Sequence, residues 1–400
     1  MKFIRVFGIA FTLISIQASA QVIQNPDGGT TTSDGRGANA ITTAVPFLLI
    51  SPDARSGALG EAGVALSTDP NATFWNPSKL AFVEQNDGLS VSYSPWLKNL
   101  VSDVNLGYLS YFHRLDERNT LGASVRYFSL GSIELIDASQ NVQGQYNPNE
   151  FSVDATFARK FGENFSLGTS LRFIHSNLLN GASSGQQTKA GNAVAADVSM
   201  TYKSETQQFG KDALFAFGAN ISNIGTKISY SDGGPKYFLP TNLKIGAANT
   251  WFLDDFNQLT LTLDLNKLLV PTPPIRDTEG NIVSGKEDDR TVVSGIFGSF
   301  SDAPGGFSEE LKEINLGGGM EYWYNKTFAL RLGYFYENPD KGNRKYLTLG
   351  AGFRYKFANI DFAYLVANQQ SSPLANTLRF SLLFNFGADA ASTTAPASGK

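Results

Sequence analysis

From residue 88 to residue 386 the chain repeats one pattern: segments of about ten residues in which apolar and polar side chains alternate, each closed by turn residues. Successive side chains of an extended strand point to opposite faces, so a period of two marks a two-faced strand. In residues 346–357, Leu347, Leu349, Ala351, Phe353, Tyr355 and Phe357 share one face, and Thr348, Gly350, Gly352, Arg354 and Lys356 the other. Leu259, Leu261, Leu263 and Leu265 oppose Thr260, Thr262, Asp264 and Asn266 in the same way. Strands are expected near 88–97, 105–115, 120–135, 151–161, 165–178, 193–204, 214–225, 241–252, 257–268, 313–324, 327–338, 345–357, 360–369 and 376–386. That is about fourteen, an even number, as a closed bacterial outer-membrane barrel requires.

Loop lengths point the same way. Connections at 116–119, 162–164, 325–326 and 358–359 are short, whereas 136–150, 179–192, 226–240 and 269–312 are long. Sorting by parity belongs to a barrel with short periplasmic turns and long outer loops, and a soluble β-sandwich has no reason to show it. Residues 205–213 break the rule, being long where a short turn is expected. Tyr322, Tyr324, Tyr334, Tyr336, Tyr355 and Phe357 cluster near strand ends, as interfacial girdles do. The fold class expected is an all-β transmembrane antiparallel barrel with an N-terminal segment plugging its lumen.

The N-terminus sets the compartment. Lys2 and Arg5, an apolar run from Val6 to Ile16 and Ala18-Ser19-Ala20 make a signal peptide over 1–20. The apolar run is too short for a membrane-spanning helix of about 20 residues. Residues 21–45 read as a flexible leader, 46–87 as the plug segment, 88–386 as the barrel with an extracellular loop at 269–312, and 387–400 as a disordered periplasmic tail. Both termini are expected in the periplasm. The chain has no Cys, hence no disulfide, thiolate site or lipid anchor, and a net charge of −4 gives no nucleic-acid footprint.

With the apolar face toward lipid, the lumen collects Arg126, Arg172, Arg331, Arg354, Lys356 and Arg379 with Asp154, Asp197, Asp264, Glu321 and Asp361. Mixed, nearly balanced charges predict a paired polar lining, and buried charges need such partners. No catalytic constellation stands out. His113 and His175 lie in strand segments, and no G-x-S-x-G elbow is present. A lipid hydrolase using His175 is the residual enzyme reading. Gly57, Gly60 and Gly63 suit close backbone packing better than a phosphate loop, and Glu287-Asp288-Asp289 suits a solvated acidic loop better than a Ca²⁺ site. No metal or cofactor is implied.

Within 269–312, Val292, Val293, Ile296, Phe297 and Phe300 have helical spacing. Ser308, Glu309 and Glu310 then start a second helix, which carries Leu311 behind Phe307. Val293, Ile296, Phe297, Phe300, Phe307 and Leu311 either pack onto the barrel rim or form a docking surface for another protein.

Two stretches carry a family resemblance: "PFLLISPDARSGALGEAGVALSTDPNATFWNPSKLAF" from Pro46 to Phe82, and "GIFGSFSDAPGGFSEELKEI" from Gly295 to Ile314. Both resemble segments of the PorV family of the type IX secretion system of Bacteroidetes, within the wider FadL-like barrel superfamily. The resemblance implies a non-enzymatic outer-membrane protein. It implies binding to the C-terminal signal domain of cargo at the translocon barrel SprA/Sov. Cargo would then pass to the attachment complex with the sortase PorU, where it joins an anionic lipopolysaccharide. A FadL-like transporter of hydrophobic small molecules is the alternative, but Ser78-Lys79 replaces the usual Ala-Gly there and the lumen is charged. Arg55, Asp69, Phe74, Trp75, Asn76, Pro77 and Lys79 are the plug residues. Phe74 and Trp75 are expected to wedge against glycine-rich strands, with Asp69, Asn76 and Lys79 meeting wall charges in the periplasmic half of the lumen.

Overall fold

The computed structural model describes residues 22–24, 30–32, 37–95, 103–136, 142–178, 181–183, 186–367 and 377–387. The expected signal peptide, most of the leader before residue 37 and the tail beyond 387 lie outside them.

Fourteen antiparallel strands form one closed barrel. They are β1 (Asp87–Pro95), β2 (Asn105–Arg114), β3 (Asn119–Ser129), β4 (Asn149–Phe161), β5 (Phe165–Asn177), β6 (Gly191–Gln208) and β7 (Lys211–Gly225). The second half is β8 (Asn242–Phe252), β9 (Asn257–Leu268), β10 (Asn315–Tyr324), β11 (Phe328–Tyr336), β12 (Lys345–Tyr355), β13 (Ala358–Ala367) and β14 (Thr377–Phe386). Each pairs with the next, and Phe386 lies opposite Asp87, which closes the sheet. Closure leaves no strand edge unpaired in lipid. Along β4, Ser152, Asp154, Thr156 and Ala158 are buried while Val153, Ala155 and Phe157 are exposed. Apolar outside and polar inside is the inverse of a soluble core and fits a lipid-facing wall.

Turns at 115–118, 162–164, 209–210, 253–256, 325–327 and 356–357 make one end of the barrel, and the long loops make the other. The stretch at 205–213 is therefore no long loop: β6 and β7 run on and meet in a two-residue turn at 209–210. β3 stops at Ser129, short of the expected 135, and Ile133–Ile136 pairs instead with Val142–Tyr146 as a separate hairpin beyond the rim. The long loop after β9 holds a hairpin of Ile275–Arg276 with Ile282–Ser284, then α3 (Val292–Gly298) and α4 (Phe307–Lys312). Among the described residues no helix is long and apolar enough to cross a membrane.

Inside the barrel, residues 46–82 run the length of the lumen as a 3-10 turn (Pro46–Leu49), α1 (Ala54–Gly57), α2 (Ala72–Trp75) and a second 3-10 turn (Pro77–Phe82). Val45, Phe47 and Leu48 pack with Leu106, Phe128, Ile174, Ile228 and Leu239 toward the long-loop end. Leu80, Ala81 and Val83 pack with Phe112 and Ala158 toward the short-turn end. Burying each such large side chain contributes about 1.5–3 kcal/mol.

Candidate functional site

The chain enters the lumen from the long-loop end. The Asn39 N–H donates to the Asp340 carbonyl (3.0 Å), and Ala44 N–H to that of Phe238 (3.0 Å). Asn39 Nδ2 also donates to the Pro273 carbonyl and to Glu309 Oε1, each at 3.1 Å. These partners sit in loops opposite the end where Gly387 follows β14. Residues 39–44 therefore lie at the end opposite Gly387. The last leader residues, expected to be flexible, are bonded to the rim.

Within the lumen the plug is built around Asp53 and Trp75. Asp53 caps α1 by accepting the Ser56 N–H (2.9 Å), and its other oxygen accepts Trp75 Nε1 (2.6 Å). Trp75 is 1 % exposed and meets Phe74 edge-on, with ring centroids 4.9 Å apart. It does not wedge against a wall glycine. The glycine beside it is Gly63 of its own segment, where a Cβ would come within 2.4 Å of the indole. Wall glycines admit other parts of the plug: the backbone nitrogen of Gly60 lies within 2.1 Å of where a Gly333 Cβ would be. Asn76 caps the second 3-10 turn and donates to the carbonyls of Val64 and Met200 and to Thr201 Oγ1, each at 3.0 Å. Pro77 opens that turn at its first position. Lys79 Nζ donates to the Gly63 carbonyl (2.6 Å).

Contact with wall charges comes from residues other than those expected. Asp69 pairs within the plug, with Arg55 (3.2 Å), and Asn76 and Lys79 meet neutral groups. Arg55 is the bridge: its Nε and Nη2 bind both oxygens of Glu321 at 2.9 and 2.8 Å, a bidentate pair. Glu321 also accepts Arg331 Nε (2.7 Å), and Arg331 Nη1 reaches Asp361 (2.6 Å). The result is one chain of charge, Asp69–Arg55–Glu321–Arg331–Asp361. Asp264 accepts the N–H groups of Gly63 and Val64 (2.7 and 2.9 Å), and Arg379 pairs with Glu61 (2.9 Å). Glu61 carries no sequence signal that separates it from a solvated glutamate.

A second network lies in the wall. Arg172 pairs with Asp154 on β4 and with Asp197 on β6, the latter at 3.0 Å. Arg126 Nη1 donates to the Leu48 carbonyl (2.9 Å), and its guanidinium lies over Phe74 at 4.5 Å. Two of the expected lumen charges are not buried there. Lys356 sits in the exposed turn after β12 with φ 53°, because β12 ends at Tyr355 and the alternation no longer applies. Arg354 is exposed near the same mouth, beside Asn359 (3.1 Å) and over Trp323 (4.7 Å).

The outer loop has an inverted helix. On α3 the buried side is Gly295, packed against Phe238 and Pro271, with Ser299 just beyond the last turn. Val293, Phe297 and Phe300 face solvent, Phe297 at 76 % exposure, and Ile296 is half-buried. On α4 Phe307 is 76 % exposed and Leu311 is exposed too. Beneath them Glu313 joins Lys267 (2.6 Å) to Lys341 (3.0 Å). Glu310 takes Lys267 (2.9 Å) and Glu309 takes Lys341 (2.6 Å). Phe307 and Leu311 are thus exposed on a helix whose acids form a buried ionic base, while Phe300 lies over the Lys267 ammonium at 6.0 Å. Glu287 and Asp288 both bind Arg276, at 2.9 and 2.8 Å.

Between plug and loop lies a cavity of about 530 Å³. Phe47, Ile50 and Phe128 line one side, and Glu61, Lys244, Asp264, Lys341 and Arg344 line the other. His175, the hydrolase candidate, and its neighbour Ser176 point to opposite sides. His175 faces outward beside Asn192 (2.8 Å), while the adjacent Ser176 is buried and donates to Glu150 (2.6 Å). Neighbours on a strand face opposite sides, so they cannot act together.

No curated protein matches the chain. Solved structures with a similar course include the Pseudomonas putida toluene transporter TodX, at 12 % identity and a TM-score of 0.43, covering 83 % of this chain and 96 % of that one. The CymD monoaromatic hydrocarbon channel shows 14 % identity and 0.45, covering 85 % and 98 %. A Pseudomonas aeruginosa FadL homologue shows 12 % and 0.39, covering 87 % and 100 %. The family model described as type IX secretion system protein PorV matches residues 32–275, ending ahead of α3 and α4. With that match and the closed fourteen-stranded wall, the chain belongs to the PorV family of outer-membrane components of the type IX secretion system.

Proposed function

We propose that this barrel is a non-enzymatic cargo carrier of type IX secretion. It binds the C-terminal signal domain of cargo at the translocon barrel and hands it to the sortase and attachment complex at the cell surface. One observation carries the reading: the apolar face of the outer loop. Val293 and Phe297 are exposed on α3, Phe300 just after it, and Phe307 and Leu311 on α4, whose Glu309 and Glu310, with Glu313 after it, form buried ion pairs with Lys267 and Lys341. A soluble or rim-packed helix turns such residues inward. Large apolar side chains displayed above the membrane mark a protein-binding site.

Deleting 291–300 tests it. The barrel stays in the membrane, with the heat-dependent gel mobility of a folded barrel, and cargo ceases to co-purify. Phe297→Asp with Phe307→Asp does the same without shortening the chain. Cargo co-purifying at full yield from both variants would overturn the assignment of the loop.

A further inference from the structure

The hairpin joining β6 to β7 differs from the other short turns. The last residue of β5 to pair with β6 is Phe165, opposite Tyr202, yet β6 continues to Gln208. From Lys203 to Gln208 it pairs with β7 alone. Lys203 gives its N–H to the Asn164 carbonyl (2.8 Å), and its own carbonyl accepts Asn164 Nδ2 (2.6 Å). In an antiparallel ribbon, alternate residues direct N–H and C=O the same way. Glu205 and Gln207 therefore turn theirs to the side β5 has vacated, where among the described residues the one side-chain contact is Ser204 Oγ on the Glu205 carbonyl at 3.4 Å. The base of the ribbon is fixed, because Gln208 exchanges hydrogen bonds with Asn249 (3.1 and 3.0 Å) and accepts Trp251 Nε1 (2.9 Å).

Two further features mark this ribbon. Lys203, Ser204, Glu205, Thr206, Gln207 and Gln208 are polar on both faces, whereas a strand in lipid is apolar on one. This section has left the bilayer, on the side where barrels keep their periplasmic turns. At its tip Phe209 has φ 56° and Gly210 φ 72°, two left-handed residues as in a type I′ turn. Asn or Gly suits the first position, and a bulky aromatic is strained there. Phe209 is also 92 % exposed.

We infer that this hairpin is a strand-pairing site for a second, periplasmic protein. An extended segment of that partner adds to the open edge at Glu205 and Gln207, and Phe209 fills an apolar pocket on it. Unpaired, alternating N–H and C=O groups are matched by another extended backbone. A lipid surface offers no such match, and along β6 six polar residues separate Phe209 from Tyr202, the last apolar side chain on the lipid-facing side of that strand. The site lies at the opposite end of the barrel from the cargo loop, so either assignment can fail alone.

A photo-crosslinking phenylalanine analogue placed at Gln207 in living cells tests the proposal. The expected result is one discrete adduct with another protein, whose crosslinked peptide is an extended segment. Two variants lower its yield about tenfold, the effect of about 1.4 kcal/mol. Phe209→Asn removes the ring and suits the left-handed turn. Glu205→Pro removes an edge N–H, at a site where an edge strand tolerates proline. Barrel mobility on gels and membrane abundance stay normal, and if Glu205→Pro fails to fold, Phe209→Asn alone decides. An adduct of two copies of this chain, an adduct with lipid only, no adduct, or an adduct insensitive to Phe209→Asn would each overturn the proposal.

Discussion

Trp75 holds the plug together through one polar and one steric contact. Its N–H is spent on Asp53 (2.6 Å), which also caps α1, and its ring covers Gly63. Gly63→Ala puts a methyl group 2.4 Å from the indole, so Trp75 must move. Overpacking of this kind costs about 1–3 kcal/mol, and urea unfolding of the refolded barrel is expected to shift accordingly. An unchanged midpoint would mean that the plug adapts. Arg55 gives a second test. Arg55→Met strips Glu321 and Asp69 of a buried partner, a loss of about 3–5 kcal/mol. In Arg55→Met with Glu321→Gln the loss is smaller than the sum of the single variants, because the two changes remove the two ends of one buried pair and leave no carboxylate short of a cation at Glu321. Additive losses in that cycle would show the pair to be uncoupled. The sequence places Arg55 and Asp69 in the segment ahead of the first strand. That Arg55 reaches Glu321, and that Lys79 stops at a carbonyl, depends on how residues 53–83 coil, which no spacing records.

At the level of elements, alternation located the strands well inside the membrane and failed outside it. It stopped near 204 on β6, where both faces turn polar, although the strand runs to Gln208. The period of two reports a lipid boundary on one face, not extended backbone as such. In the same way, the helical spacing at Val293, Phe297 and Phe300 showed a helix but not its orientation. That goes with Gly295, the buried residue of the helix, which fits against Phe238 and Pro271. Glu309 makes the loop pH-sensitive. Burial pushes the Glu309 carboxyl up, but Lys341 and the Gly305 N–H hold it below its ordinary 4.5. A depressed folded pKa contributes stability that is complete above the unfolded value and is lost as pH falls through the folded one. Amide exchange in 300–312, corrected for intrinsic rates, is therefore expected to lose protection only in acid below the ordinary carboxylate range. Glu309→Gln loses part of it already at neutral pH. Protection that persists unchanged in the variant would remove Glu309 from the brace.

For the whole molecule, strand number and closure were readable because about fourteen two-faced segments with sorted loop lengths admit one architecture. The pairing of lumen charges was not, since Arg172 meets Asp154 only once β4 and β5 are in register. Nor was the path of the N-terminal segment, because an apolar, glycine-rich stretch can enter a lumen from either end. Its direction has a mechanical consequence. Asn39 is bonded to three rim groups at the long-loop end, and β1 begins at the short-turn end, so residues 46–82 are anchored at both mouths. Withdrawing such a plug toward the short turns means breaking the Asn39 anchor and drawing the leader through the barrel. The chain has no Cys, so single cysteines report the topology cleanly. Thr42→Cys, exposed at the outer mouth, is expected to react on intact cells with a maleimide too large to pass porins. Asp255→Cys, in the exposed turn between β8 and β9, is expected to react only after the outer membrane is opened. If Thr42→Cys instead needs an opened membrane while Asp255→Cys keeps its pattern, the leader lies on the periplasmic side and the plug is free to leave by the end opposite the long loop after β9.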